Sequence, residues 1–594
     1  MSNPTELARA VAELSKNAEQ REAVFETGHC VVLAGPGSGK TKTLTTAMAR
    51  ALSEDVVDPR GVACITYNNE CATELEARLA RFGIASVDRT FIGTVHSFAL
   101  TQIITPYARC VPGLLDGNFR VATAAECRAA VEAAHKKIID DGRDPHEHWR
   151  YAEQKRRRDV DRSLPAWMGK NPDLARFIEQ YEAELRLRGL IDFDDMPLLA
   201  FRLVKEQTWV REAIRAKFPV LFVDEYQDLG YALHELVLLL CFQGGIRLLA
   251  VGDSDQSIYG FTGADPELLR ALTQRSDVKT IRLRFNYRSG VKIIRASLGA
   301  LGEERDYRGV EGAPDGTLSF IQVDGRHDAQ AEHIAQVVVP DLVGRGFSME
   351  QIAVLYQAAW LGDLVAGALD GAGIPFVRTD RNALVKRSSR LARLIEACSQ
   401  WVTGGWHGAD PAYSRLLREA LGIVFGGPAS EPEERILSAQ LVAFLQDGID
   451  RGETAHQWLQ RLDKELIAPW MTVARNRHQE WDVCSEMIMR TDPAKNLDMA
   501  LNVFAGRLDE SGRLTLSTLH SAKGREFDAV IMFGVNESDM PSARDRKNER
   551  SLREARRLFY VGVTRPRKEL CLVFQKGHHS PWVVELYKRS QESQ

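Results

Sequence analysis

The sequence predicts an α/β chain of two parallel-sheet lobes, each interrupted by a mainly helical insertion, and three observations carry that expectation. Short apolar runs recur directly before glycine-rich or acidic loops: Val31-Val32-Leu33, Val220-Leu221-Phe222-Val223, Leu248-Leu249-Ala250-Val251 and Ala529-Val530-Ile531-Met532-Phe533. Runs that are short and uninterrupted read as strands covered on both faces, the pattern of parallel sheets. Amphipathic stretches such as Asn69 to Arg81 lie between them, which implies helices layered on the sheets. Two long stretches, residues 105–190 and 396–504, carry no strand-loop signal and read as helical insertions.

Taken in order, residues 1–104 and 191–285 form the expected first lobe around the insertion 105–190, and residues 286–395 and 505–594 form the second around 396–504. The first insertion is rich in Arg, Lys and Glu, and its tract Lys155-Arg156-Arg157-Arg158 reads either as a solvated helix face or as a contact to duplex phosphates. The second holds Trp401, Trp406, Trp458, Trp470 and Trp481 in helical surroundings, where large rings are expected to fill a core. Ala313-Pro314-Asp315-Gly316 reads as a turn before a second-lobe strand at Thr317.

A chain of 594 residues is longer than one hydrophobic core usually serves. No apolar run approaches the roughly 20 residues of a membrane span. The amino-terminal stretch carries Glu6 and Glu13 and lacks a basic-then-apolar export pattern, so a cytoplasmic protein is expected. The nine cysteines are scattered without a Cys-x-x-Cys pair or a Cys/His cluster, which argues against a zinc site or a disulfide framework. A net charge of −4 excludes a globally basic nucleic-acid-binding face and leaves an interdomain channel with local basic and aromatic groups.

Ala34-Gly35-Pro36-Gly37-Ser38-Gly39-Lys40-Thr41 follows a strand and precedes a helix, the context a phosphate-binding loop requires. Glycines let backbone N–H groups close around phosphate, the helix N-terminus favours the anion, Lys40 reaches the β/γ oxygens, and Thr41 is a Mg²⁺ ligand. A second strand ends in Asp224-Glu225-Tyr226-Gln227-Asp228, placing Asp224 to hold Mg²⁺ and Glu225 to orient or deprotonate an attacking water. A third ends in Gly252-Asp253-Ser254-Asp255-Gln256, with Gln256 as γ-phosphate sensor. Mg²⁺ and ATP are the expected cofactor and fuel.

These motifs, in this order, resemble the UvrD/Rep-type helicases of superfamily 1A over nearly the whole chain, which implies two RecA-like P-loop NTPase lobes. The resemblance rests further on Asn17-Ala18-Glu19-Gln20, Thr66-Tyr67-Asn68-Asn69, Gly93-Thr94-Val95-His96-Ser97-Phe98, Asp192-Phe193-Asp194-Asp195-Met196, Asn286-Tyr287-Arg288-Ser289, Thr518 to Phe527 and Arg556 to Arg565. It implies that Gln20 reads adenine, Tyr287 stacks on it, Arg288 meets the γ-phosphate, Glu526 binds ribose and Arg565 is the arginine finger. The implied strand track is Tyr67, Asn69, His96, Tyr259, Phe261 and His520.

The chain departs from the family at Phe261-Thr262, where a Trp-Arg pair is usual, at Glu70 for a Lys, and at Leu229-Gly230 for Thr-Asn. The resemblance implies an ATP-dependent 3′–5′ translocase and helicase acting on single-stranded DNA and single/double-strand junctions, in repair, recombination or genome defence. The alternative is an ATP-gated DNA-sensing subunit that controls a partner nuclease. No nuclease motif follows Arg565, so cleavage requires a second chain.

Overall fold

A computed structural model of the chain describes residues 4–66, 69–84, 89–115, 119–122, 124–169, 171–260, 263–380, 382–385, 389–408, 411–425, 429–449, 451–474, 481–494, 499–506 and 510–591. The first strands are β1 (His29–Ala34), β2 (Val62–Thr66) and β3 (Thr90–Thr94), then the short β4 (Arg120–Val121) and β5 (Leu190–Ile191), then β6 (Val220–Val223), β7 (Arg247–Gly252) and β8 (Val278–Leu283). Six of them make one parallel sheet in the order β3-β2-β6-β7-β1-β8. Alternation along β1 explains why its apolar run is unbroken. Val31 enters the core on one face with Ile65, Val223 and Ala250, while Cys30 and Val32 enter the core on the other with Cys64, Phe222 and Val251. Burying each such Val or Leu contributes roughly 1.5–3 kcal/mol.

Register then positions the chemistry. Leu33 pairs with Gly252, Ile65 with Val223, and Val223 with Ala250. The carboxyl ends of β1, β6 and β7 therefore share one sheet edge, which brings the phosphate loop, Asp224-Glu225 and Asp253 together.

The second lobe begins with the paired β9 (Phe285–Asn286) and β10 (Arg308–Gly309). It continues through β11 (Thr317–Val323), β12 (Ile352–Tyr356), β13 (Phe376–Arg378), β14 (Leu514–Thr518), β15 (Phe527–Phe533) and β16 (Pro566–Gln575). The last six form another parallel sheet, β11-β16-β15-β12-β14-β13. Its two faces are again cored separately, Ala353, Leu355, Val530 and Met532 on one and Ile352, Val354, Ala529 and Ile531 on the other.

Helices Ala124–Ile138, Pro145–Arg158 and Pro172–Arg186 pack around Trp167, Phe177 and Tyr181. Asp144 and Asn171 cap the last two, each followed by a proline whose missing N–H costs nothing there. Parallel pairing of β4 with β5 closes the base of this insertion. The basic tract is a solvated face only in part: Arg158 is exposed, whereas Arg156 turns inward. Arg156 is fully buried and binds Glu182 (2.8 Å), Asp192 (2.6 Å) and Asp195 (2.6 Å). Lys155 pairs with Asp159 and Arg157 with Glu153 and Asp194. Carboxylates gathered away from water require a cation, and the tract supplies it.

A separate core runs from Val385 to Phe504. Trp458, Trp470 and Trp481 are buried in it and Trp401 packs against it, as expected, but Trp406 is exposed and stacks on His407. The nine cysteines form no disulfide with one another. Among the described residues, no helix is long and apolar enough to cross a membrane.

Candidate functional site

Gly37 and Gly39 adopt φ of 69° and 83°, the left-handed region where a side chain is strained. A Cβ on Gly37 would also lie 2.5 Å from Asn286 Oδ1, and one on Gly39 would lie 2.6 Å from Gln20 Nε2. The loop therefore closes only with glycine at both positions. Ala34 ends β1 and is buried, as are Gly35, Pro36 and Ser38; Ser38 Oγ donates to Gly35 O at 2.7 Å, bracing the turn. Lys40 and Thr41 open the helix Lys40–Arg50, so their backbone N–H groups are among those free of intrahelical partners.

Lys40 Nζ lies 3.4 Å from Glu225 Oε1. Burial alone would lower the lysine pKa, yet the charges of Glu225, Asp253 and Asp224 outweigh it and raise it, so the ammonium is retained. Glu225 sits at φ 51°, one of two non-glycine residues with positive φ among those described. Its carboxyl would be raised by burial but is driven down by Lys40 and Lys523. Asp224 is driven up by burial and then by Glu225. Three carboxylates thus share one largely enclosed lysine, an excess of negative charge that a divalent cation with oxygen ligands would relieve. The hydroxyl of Thr41 and the carboxyl of Asp224 are the hard donors that fit Mg²⁺.

Gln20 is buried, and its Nε2 donates to Ser38 O (3.2 Å) and Thr43 Oγ1 (3.3 Å). Tyr287 is half-exposed beside it. Its hydroxyl accepts from Asn17 Nδ2 at 3.0 Å, and its backbone N–H donates to Gly37 O at 2.8 Å. The predicted adenine group therefore converges on the phosphate loop from both lobes.

The second lobe supplies cations. Arg565 is buried, donating to Val561 O (2.9 Å), Arg525 O (3.2 Å) and Gln256 Oε1 (3.1 Å), and among the described residues no carboxylate lies within ion-pair distance of it. Burial, then the charge of Arg288, lowers its pKa to about 9, so it stays protonated near neutrality. Arg288 is paired with Glu526, which also holds Arg567 at 2.9 Å. The predicted γ-phosphate and ribose ligands therefore neutralise each other here.

Further contacts grip the segment Asp253 to Gly260. Gln256 Nε2 donates to Asp253 Oδ2 at 2.5 Å. Lys523 Nζ donates to Asp228 Oδ2 (2.5 Å) and to Gln256 O (2.8 Å). Arg305 clamps Asp255 with two hydrogen bonds of 2.7 and 2.8 Å, and Gly260 N donates to Glu554 Oε1 at 2.9 Å.

Two segments of the chain match known domains in the order the motifs require. Residues 16–277 match the UvrD/REP helicase N-terminal domain and residues 496–577 the UvrD-like helicase C-terminal domain. The chain belongs to the UvrD/Rep-type family of superfamily 1 helicases. It is 26% identical over 632 residues to the ATP-dependent DNA helicase Rep of Escherichia coli, covering 94% of this chain and 91% of that protein. Rep of Buchnera aphidicola subsp. Acyrthosiphon pisum is 23% identical over 637 residues, 98% of this chain and 96% of that protein. ATP-dependent DNA helicase UvrD2 of Mycobacterium tuberculosis H37Rv is 27% identical over 595 residues, 93% and 78%.

The strand track expected of this UvrD/Rep-type chain is only partly within the described residues. Tyr67 and Phe261 lie outside them, as does the side chain of Asn69, whose backbone opens the helix Asn69–Arg81. Tyr259 and His520 meet across the lobes. The Tyr259 hydroxyl donates to His520 O at 3.4 Å, and Lys523 Nζ lies 5.0 Å from the Tyr259 ring centre. Burial, then Lys523, lowers the His520 pKa to about 4, so its ring is neutral near neutrality. His96 stacks on Phe193 with ring centres 3.7 Å apart, and Phe193 remains 41% exposed.

Sequence reasoning missed Phe193 as a candidate, although an aromatic flanked by Asp192 and Asp194 has acids on both sides and little chance of a fully apolar setting. It also missed Tyr307, whose ring carbon lies 2.6 Å from where a Cβ on Gly35 would stand. No local signal marks that packing.

Proposed function

We propose that the chain is an ATP-driven motor that moves 3′ to 5′ along single-stranded DNA and unwinds duplex ahead of it, in repair, recombination or genome defence. One observation carries this reading: the segment Asp253–Gly260 holds Gln256 at the nucleotide cleft and Tyr259 at the strand face, and Arg565, Lys523, Arg305 and Glu554 of the second lobe all grip it. Any change in lobe approach must act on both ends of that segment.

The residues divide the work. Lys40 and the loop N–H groups bind the β/γ oxygens, while Gln20 and Tyr287 fix the base. Thr41 and Asp224 would hold Mg²⁺, which when bound neutralises phosphate charge. Glu225, kept ionised, orients the attacking water and accepts its proton. Arg565, a buried cation with no carboxylate within ion-pair distance among the described residues, is preorganised for charge developing on the transferred phosphoryl group. Arg288 reaches phosphate by exchanging Glu526 for it, which frees Glu526 for the ribose. After hydrolysis these attractions weaken and the lobes separate, and the segment carries that change to Tyr259, Phe261, His520 and the His96–Phe193 stack, where bases stack without sequence preference.

The test is strand displacement on 3′- and 5′-tailed duplexes alongside ATPase measured with and without single strands. The proposal expects strand-stimulated hydrolysis and unwinding of the 3′-tailed substrate alone. Strand-stimulated hydrolysis without displacement of either substrate would reject autonomous unwinding.

A further inference from the structure

Far from the nucleotide cleft, the first insertion brings two histidines and an aspartate face to face. His135 lies near the end of helix Ala124–Ile138 and His148 in the first turn of helix Pro145–Arg158. His135 Nε2 and His148 Nδ1 are 2.9 Å apart. Asp141, from the connecting turn, places one carboxylate oxygen 3.6 Å from His135 Nε2 and the other 3.6 Å from His148 Nε2. Asp140 at φ 45° and Gly142 at φ 76° reverse the chain to bring that carboxylate back.

The setting suits metal binding more than a chance ion pair. His135 is 4% exposed, with Phe177 against its ring edge-on and the His148 ring stacked on it. The Arg143 backbone N–H donates to Asp141 Oδ1 at 3.1 Å, which holds the carboxylate turned toward the two rings. Arg143 itself approaches Asp141 at 3.7 Å but is largely exposed and free to swing away.

We propose that His135, His148 and Asp141 form a divalent transition-metal site that staples the first two helices of the insertion together. Two imidazole nitrogens and one carboxylate suit Zn²⁺ and its neighbours, whereas Mg²⁺ and Ca²⁺ prefer all-oxygen sets. Three protein ligands leave one position to water, on the side where His148 and Asp141 remain partly exposed. The stapled helix Pro145–Arg158 carries Arg156 and Arg157, which bind Asp192, Asp195 and Asp194 around Phe193. The metal would therefore stiffen the support beneath one strand-face aromatic.

The experiment uses the full chain, stripped with a chelator and titrated with Co²⁺ and then Zn²⁺ in the presence of millimolar Mg²⁺. The expected result is a single equivalent of Co²⁺ with nitrogen/oxygen-type d–d absorption, displaced by Zn²⁺, and a thermal midpoint that rises with Zn²⁺. Thiolate-to-cobalt charge-transfer absorption should be absent, because the nine cysteines are not ligands. His148→Ala should abolish this binding, and Asp141→Asn, at a partly exposed position that leaves the core intact, should weaken it by at least the ~10–100-fold that loss of an outer-shell partner costs. Uptake equal in the wild type and both variants, thiolate absorption, or no uptake at all would each overturn the site; the last would leave the two imidazoles sharing a proton.

Discussion

The two lobes share one scaffold and differ in the sign of the charge they present. Each is a six-stranded parallel sheet cored on both faces. At the cleft the first presents Asp224, Glu225 and Asp253 around a single lysine, whereas the second presents Arg565, Arg288, Lys523 and Arg305. Arg288 is matched within its own lobe by Glu526, but Lys523 and Arg305 find their carboxylates in the first lobe, at Asp228 and Asp255. Lobe approach is therefore an electrostatic event, and a bound nucleotide alters it by adding phosphate charge where Lys40 and Arg565 face each other.

The largest break in that comparison is Lys40→Ala. Removing the lysine that Asp224, Glu225 and Asp253 share leaves their charge under-compensated and the phosphates without their main side-chain partner, and ATP turnover is expected to vanish. Steady-state ATPase of the purified variant near the wild-type rate would remove the loop from catalysis. On the opposite side, Arg565→Ala should leave nucleotide affinity largely intact and lower kcat by about 10³-fold or more, since this cation acts on transition-state charge. Equilibrium binding of a labelled nucleotide measured alongside kcat separates the two effects.

The bond between the lobes has its own pH signature. Burial first, and then the charge of Glu225, raises the Asp228 pKa from 3.8 to about 6 despite Lys523. Between those values the folded state binds a proton that the unfolded chain has released, so stability falls as pH rises through that window and levels off above it. A shift of this size corresponds to roughly 2–3 kcal/mol. Asp228→Asn cannot titrate, and although it strands Lys523 and lowers stability throughout, its thermal midpoint should decline less between pH 4 and pH 6. Equal slopes for variant and wild type would show that Asp228 does not carry the proton.

Phe193 tests the strand face. Truncation to Ala should weaken single-strand binding by about 1–3 kcal/mol while basal ATPase persists, because no nucleotide group touches it. Phe261→Ala is expected to act alike, so that hydrolysis outlives translocation. Fluorescence binding titrations with a single-stranded oligonucleotide read the loss; unchanged affinity in Phe193→Ala would make the His96–Phe193 stack a packing feature.

What was legible in the sequence follows from range. The phosphate loop, Asp224-Glu225 and Gln256 are each written in a few consecutive residues at the end of an apolar run, so local pattern located them, and parallel register brought them together. The order of the lobes was legible for the same reason. Asp228–Lys523 and Arg305–Asp255 join residues far apart in the chain, and no spacing announces such a pair. The Lys155–Arg158 tract reads as a solvated face or a phosphate contact because the carboxylates that absorb Arg156 come from a later helix and from beyond β5. His135, Asp141 and His148 escaped notice because their spacing matches no familiar ligand pattern, and only the chain reversal at Asp140 and Gly142 unites them.

Tyr287 sharpens the comparison at its finest scale, because it belongs to the second lobe yet is proposed to serve the base, not the phosphates. Its backbone N–H is bound to Gly37 O whatever its side chain, so substitution leaves the loop in place. Stacking on adenine strengthens substrate and transition state alike, and uniform binding of this kind enters KM and not kcat. An aromatic contact worth about 0.5–1.5 kcal/mol predicts that Tyr287→Ala raises KM for ATP roughly 2- to 13-fold with kcat nearly unchanged. Tyr287→Phe separates the ring from the hydroxyl: it gives up the bond from Asn17 Nδ2 but keeps the stack, and its KM should stay close to wild type. If Tyr287→Phe matches Tyr287→Ala, the hydroxyl bond that orders Asn17 and Gln20 is the source of affinity and the ring is incidental. If kcat falls with KM unchanged, Tyr287 acts on lobe closure and belongs with Arg565.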